Sequence, residues 1–168
     1  AAHALPARTG LRDRLASQKN VINVSGAVDH IGTHRGTKAI QHLGKSVEVV
    51  VHRVGFNYLE TMNLRLVAGR FFNDSIQSDK IESVVVNERF VKAMGWQNPI
   101  DQKYKQDSLS LHVVGVVSDF HYTDFYREIL PVFFVIAPEP SLRYVAVKVQ
   151  AGSVVATEDW LKQTWKGI

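Results

Sequence analysis

The run S-V-V-V-N-E-R-F-V-K-A-M-G-W, from Ser83 to Trp96, and the run L-H-V-V-G-V-V-S-D-F-H-Y, from Leu111 to Tyr122, decide how this chain is read. Val84, Val85 and Val86 are consecutive β-branched residues and read as a buried strand. Asn87 is placed to cap a following helix, with Glu88 against its positive end and Phe90, Val91 and Met94 on one face. Gly95 suits the left-handed residue that closes such a helix, and Asn98-Pro99 keeps it from restarting. A second strand is predicted from Leu109 to Val117. Gly115 lies inside it, where a bulge or a close backbone approach is the usual cause. Nothing in this unit supplies a nucleophile, a phosphate cradle or a metal cage.

Toward the N-terminus, Val47 to Val54 is nearly continuous in β-branched residues and predicts a strand, as does Val21 to Val28. Between them, His30 to Leu43 carries Gly32 and Gly36 among mixed polar residues and reads as a long loop. A short amphipathic helix is expected from Leu11 to Gln18, after a frayed end at Ala1 to Arg8. Phe56 to Met62 reads as one or two helical turns, Leu64 to Ala68 as extended, and Gly69 to Phe72 as a turn before the polar loop Asn73 to Lys80. Toward the C-terminus, Leu130 to Ala137 and Arg143 to Val149 read as strands around a turn at Pro138 and Pro140. Ser153 then starts a last helix with Val154, Thr157, Leu161 and Trp165 on one face. Strands outnumber helices without regular alternation, so the class is α+β.

The bulk properties exclude more than they assign. A chain of 168 residues can bury a proper core without staples. It has no cysteine, which removes disulfides, thiolate metal sites and cysteine catalysis. The net charge of +4 is scattered, with no Lys/Arg-rich run, which argues against nucleic acid as a partner. No run of about 20 apolar residues predicts a membrane span, and no signal peptide is read. There is no phosphate-binding G-x-x-x-x-G-K-[ST]. His30, His34 and His42 share a loop, but Gly32 interrupts the pair spacing and no thiol or carboxylate completes a ligand set, so they read as surface histidines. Asp119 and His121 have the spacing of an acid–base pair on one strand face. A turn in which Asp119 caps backbone amides is the stronger reading. Glu60, Asp74, Asp79 and Glu88 are too dispersed to form a carboxylate pair, and Trp96, Trp160 and Trp165 read as packing residues. No catalytic, cofactor-binding or metal-binding residue is assigned.

A series of words in fixed order resembles the extracytoplasmic core domain of bacterial ABC-transporter permeases of the MacB/FtsX type. V-G-F-N-Y-L-E-T-M-N-L-R-L-V-A-G-R-F-F, from Val54 to Phe72, is similar to that family's short helix followed by G-R-x-F. V-V-V-N-E, N-P-I-D-Q-K-Y and V-V-G-V-V-S-D-F follow in register, with Pro131 in a later apolar strand. Asp101 departs from the pattern, which has glycine after P-I. The resemblance implies a non-catalytic periplasmic domain on the inner membrane that couples cytoplasmic ATP hydrolysis to extracytoplasmic work by mechanotransmission. That work would be efflux, lipoprotein handling or activation of cell-wall hydrolases. The implied partners are a cytoplasmic ATP-binding subunit or domain, a second permease as homodimer or heterodimer, and a periplasmic adaptor or hydrolase.

The resemblance also implies two subdomains. A Porter-like helix-covered sheet would be built from both chain ends, residues 1–68 and 138–168. A β-rich Sabre-like part, residues 69–137, would be inserted into it; its own apolar set in Val84–Val86, Phe90, Val113–Val117 and Phe133–Val135 is enough for a separate small core. Two other functions are weighed against this reading. A stand-alone peptide- or ligand-binding module would show a deep apolar cleft. A hydrolase using Asp119 and His121 would need a hydroxyl nucleophile within hydrogen-bond reach.

Overall fold

The computed structural model describes residues 12–32, 37–42, 44–106, 109–121 and 128–165. The predictions for Ala1 to Arg8, His34 and Leu43, and most of the run after His121, fall outside them. A helix over residues 12–16 (α1) leads into β1 (Val21–Ala27), β2 (Lys38–His42) and β3 (Lys45–Val54). A short helix α2 (Tyr58–Thr61) precedes β4 (Leu66–Gly69), β5 (Ser83–Asn87) and helix α3 (Glu88–Met94). Strands β6 (Lys103–Gln106), β7 (Leu109–Val117), β8 (Val132–Ile136) and β9 (Tyr144–Val149) follow, and α4 (Val154–Trp165) closes the chain. The mixed α+β class is as expected. No described helix is long and apolar enough to cross a membrane.

The strands form one mixed sheet in the order β4-β7-β5-β8-β3-β1-β9, with β2 added to β3 and β6 to β7. β5 lies parallel to β7 and antiparallel to β8, and β8 runs parallel to β3. Alternation along β3, β5 and β8 sends neighbouring residues to opposite faces. Val50, Val85, Val132 and Phe134 enter one core cluster, capped by Tyr58 and Leu59 of α2. Val49, Val84, Val86 and Phe133 enter the other, capped by Phe90 and Met94 of α3. The unbroken apolar words of the sequence are thus strands covered on both sides.

One cluster runs across the expected boundary at residue 69, where Val85, Val114, Val117 and Phe134 pack with Ala27, Val50 and Val54; the other is built mostly from residues 84–133, with Ile40 and Val49 added. The cause is the placement of β8, which pairs with β5 on one side and with β3 over five residues on the other. The chain ends meet across β1 and β9, with Val24 opposite Val147.

Three further features go beyond the expectations. The loop predicted over His30 to Leu43 contains β2, a strand in which Ile40 is buried, held by its ladder to β3. The N-P-I-D-Q word does turn, with Gln102 N donating to the Pro99 carbonyl at 3.3 Å, but it then opens into β6, which pairs with the first half of β7. Helix α4 was expected to pack its apolar face, yet Val154 and Val155 are 61% and 69% exposed and no residue from 154 to 164 is buried. On β9, Ala146 faces the core while Val145 is exposed. Asp101, standing where the related pattern has glycine, takes a left-handed φ of 64°, a conformation that Asp tolerates better than most residues.

Candidate functional site

A groove of about 810 Å³ opens beside β1, within the size range of ligand sites. It exists because its neighbours stop early. β1 keeps β9 as partner over Val21–Ala27 but meets β3 only at Ala27 opposite Val54. There β3 turns into α2, and β8 ends at Ile136. The space left is walled by α1, by Val21 to Val24 of β1, and by residues 55–57 and 136–139 just past the two strand ends. Arg12 Nη1 meets Glu139 Oε1 at 2.8 Å across one side, a half-exposed pair of small energetic weight. Asp74 and Lys80 reach the rim from the connection before β5. The lining holds two cations, Arg12 and Lys80, against three carboxylates, Asp13, Asp74 and Glu139, for a net −1 in a chain of net +4.

Behind the 73–80 connection lies a buried ionic cluster. Asp79 is 1% exposed. It accepts two hydrogen bonds from the Arg70 fork at 2.5 and 2.9 Å, one from the Ser83 hydroxyl at 2.7 Å and one from the Asn73 amide at 2.8 Å. Burial alone would raise the Asp79 carboxyl. The guanidinium, hydroxyl and amide together outweigh it and hold the pKa at about 2. The folded pKa lies below the unfolded value of 3.8, so this stabilisation is present above about pH 4 and is lost as pH falls through 2. At about 1.36 kcal/mol per unit, the loss is roughly 2 kcal/mol. Urea unfolding followed from pH 5 to pH 2 should show it, and Asp79→Asn should lack that part of the slope.

The N-E-R word after β5 is a three-way clamp. The Asn87 side chain is fully buried; its oxygen accepts from Phe90 N at 3.0 Å and Val132 N at 2.8 Å, and its amide donates to the Leu130 carbonyl at 3.1 Å. Glu88 accepts from the Asp119 amide while Asp119 Oδ1 accepts from the Arg89 amide at 2.8 Å. Arg89 reaches Glu128 Oε1 at 2.7 Å and the Ile129 carbonyl at 3.1 Å. The clamp therefore joins the end of β7, the start of α3 and the approach to β8.

Asp119 thus caps a backbone amide, the role its sequence position favoured, while His121 is exposed. Of the three loop histidines, His30 lies edge-on to Tyr144 with ring centroids 4.5 Å apart; the side chains of His34 and His42 lie outside the description. Among the described residues no cluster of three metal-ligating side chains forms. Asp79 and its partners were missed because a carboxylate in a polar loop carries no sign of burial. The G-R word beside it was the available signal.

Residues 4–164 match the family model described as the MacB-like periplasmic core domain. The fold is similar to the periplasmic region of MacB from Actinobacillus actinomycetemcomitans: TM-score 0.66 at 17% identity, covering 95% of this chain and 72% of that one. It is similar as well to the extracellular domain of the noncanonic ABC-type transporter YknZ from Gram-positive bacteria, with TM-score 0.57 and 13% identity over 86% of this chain and 74% of that one. A domain assigned to a permease protein from Porphyromonas gingivalis gives TM-score 0.57 at 15% identity over 91% and 75%. No curated protein sequence matches the chain.

Proposed function

The chain belongs to the MacB-like periplasmic core domain family, and on that premise we propose that it carries force in an ABC-transporter permease and has no catalytic role of its own. Cytoplasmic ATP hydrolysis by a separate subunit or domain would be the source of that force. A second permease copy and a periplasmic adaptor or hydrolase would be its further partners. One observation carries the reading: the first and last of the described strands, β1 and β9, are hydrogen-bonded neighbours from Val21 opposite Val149 to Ala27 opposite Tyr144. A displacement applied through either end enters the sheet at the same place. The Porter-like and Sabre-like division belongs to this proposal, with residues 69–137 as the working part and the paired ends as the receiving part of one continuous sheet. A shared core favours transmission, because close-packed interiors pass on strain instead of absorbing it.

The test is to soften the link while leaving the domain intact. Gly152 sits between β9 and α4 at φ +81°, with nothing within 4 Å of where a side chain would begin. Inserting about six Gly and Ser residues there in the full-length permease adds a flexible coil. Export in intact cells should fall at least tenfold, with ATP hydrolysis and the domain's unfolding midpoint unchanged. Full export with the insertion would rule out force carried through β9, and is what a stand-alone binding module would give.

A further inference from the structure

We propose that the groove beside β1 is a strand-addition site that takes an extended segment of a partner protein, with apolar residues at alternate positions and at least one lysine or arginine. Strand edges with unpaired peptide groups recruit extended chains, which gain main-chain hydrogen bonds and place alternate side chains in pockets. Val28 N donates to the Arg53 carbonyl and Gly55 N to the Gly26 carbonyl, so past the bulge between Val21 and Asn23 the even-numbered residues of β1 turn their peptide groups toward β3. At Val24 β3 has already ended, and the amide there donates to the neighbouring Asn23 side chain at 2.9 Å. A side chain one residue away occupies the place of a ladder partner and can swing aside for one.

The surroundings suit a strand and point to its composition. Val21 to Val24 line the groove in succession, as an edge-on strand does, and Ile22 is 58% exposed there. Phe56, Ile136 and Leu142 add apolar wall. With Arg12 and Glu139 engaged with each other, Asp13 and Asp74 outnumber Lys80, so a basic residue on the incoming segment is favoured by charge. The site is a place of attachment and does not depend on force being transmitted.

The probe is a fluorescein-labelled peptide, Val-Lys-Val-Thr-Val-Lys-Val, titrated against the 168-residue chain by fluorescence anisotropy. Saturable binding is expected, with exchange of the Val24 amide slowed at least tenfold in the complex. N-methylation of alternate peptide residues, which removes edge donors, should weaken binding at least tenfold, as should replacing both lysines by glutamate. Ile22→Lys should do the same without moving the unfolding midpoint. The proposal is overturned by absence of saturation up to about 1 mM, by equal binding of the N-methylated or glutamate peptide, or by protection on β9 in place of Val24. Because none of these readouts involves transport, they stand or fall separately from the Gly152 insertion.

Discussion

Gly115→Val is expected to leave the chain unfolded or to cost about 3 kcal/mol or more, beyond the usual range for overpacking. A Cβ built on Gly115 lands on the backbone carbonyl of Arg70, which cannot swing away as a side-chain tip would. The crowding is mutual. Gly69 pairs with Gly115 across β4 and β7, has φ +71°, and has the Val114 carbonyl and Gly115 Cα against its own missing Cβ. Register slips on both sides of this point: between Val84 and Val85 of β5 the extra residue is Val114, a bulge in β7, and between Leu66 and Ala68 of β4 it is Val67, a bulge in β4 itself. Even Gly115→Ala should be strongly destabilising. Gly95→Ala is the control: unlike Gly115 it sits at positive φ, but in open space, so it should cost only about 1 kcal/mol for conformation. Urea unfolding of the three variants decides the matter. A Gly115→Val protein as stable as Gly95→Ala would mean that the approach of Arg70 is not what Gly115 provides.

Gly115 also marks how far sequence reasoning reached. Its place inside an apolar strand signalled a bulge or close approach, and both are there; the partner, Arg70, is distant in sequence and left no sign. β5, β7 and α3 were legible because consecutive β-branched residues and an Asn–Gly pair of helix ends are local signals. β2 and β6 were not, because strands such as K-A-I-Q-H and K-Y-K-Q are specified by the backbone ladder of a neighbour and carry little apolar pattern. The core shared across residue 69 was illegible for a related reason. A run such as V-F-F-V-I reports burial on both faces but not which strands flank it, and β8 joins β5 to β3. The groove was least legible of all. No residue type in it is unusual, and it follows from β3 and β8 ending before β1 does.

Asn87→Ala is expected to cost about 3 kcal/mol or more, although it removes only a small polar side chain. The reason is what remains behind: Phe90 N and Val132 N lose their acceptor in the interior, and the half-buried Leu130 carbonyl loses its donor. Each buried group left unsatisfied costs about 1–3 kcal/mol, and the helix cap is among them. Asn87→Asp separates the contributions, since it keeps the two acceptor bonds and replaces only the donor to Leu130, so it should fall between wild type and Asn87→Ala. Arg89→Ala tests the exposed arm of the same clamp. Its pair with Glu128 is largely open to solvent, so about 1 kcal/mol or less is expected. Amide exchange adds a spatial readout: in Asn87→Ala, Val132 on β8 should lose protection together with Phe90 on α3, because one oxygen serves both. If only Phe90 loosens, Asn87 is a helix cap and nothing more. If both loosen, it is the pin that makes α3 and β8 move as one body, as the proposed transmission of displacement would require.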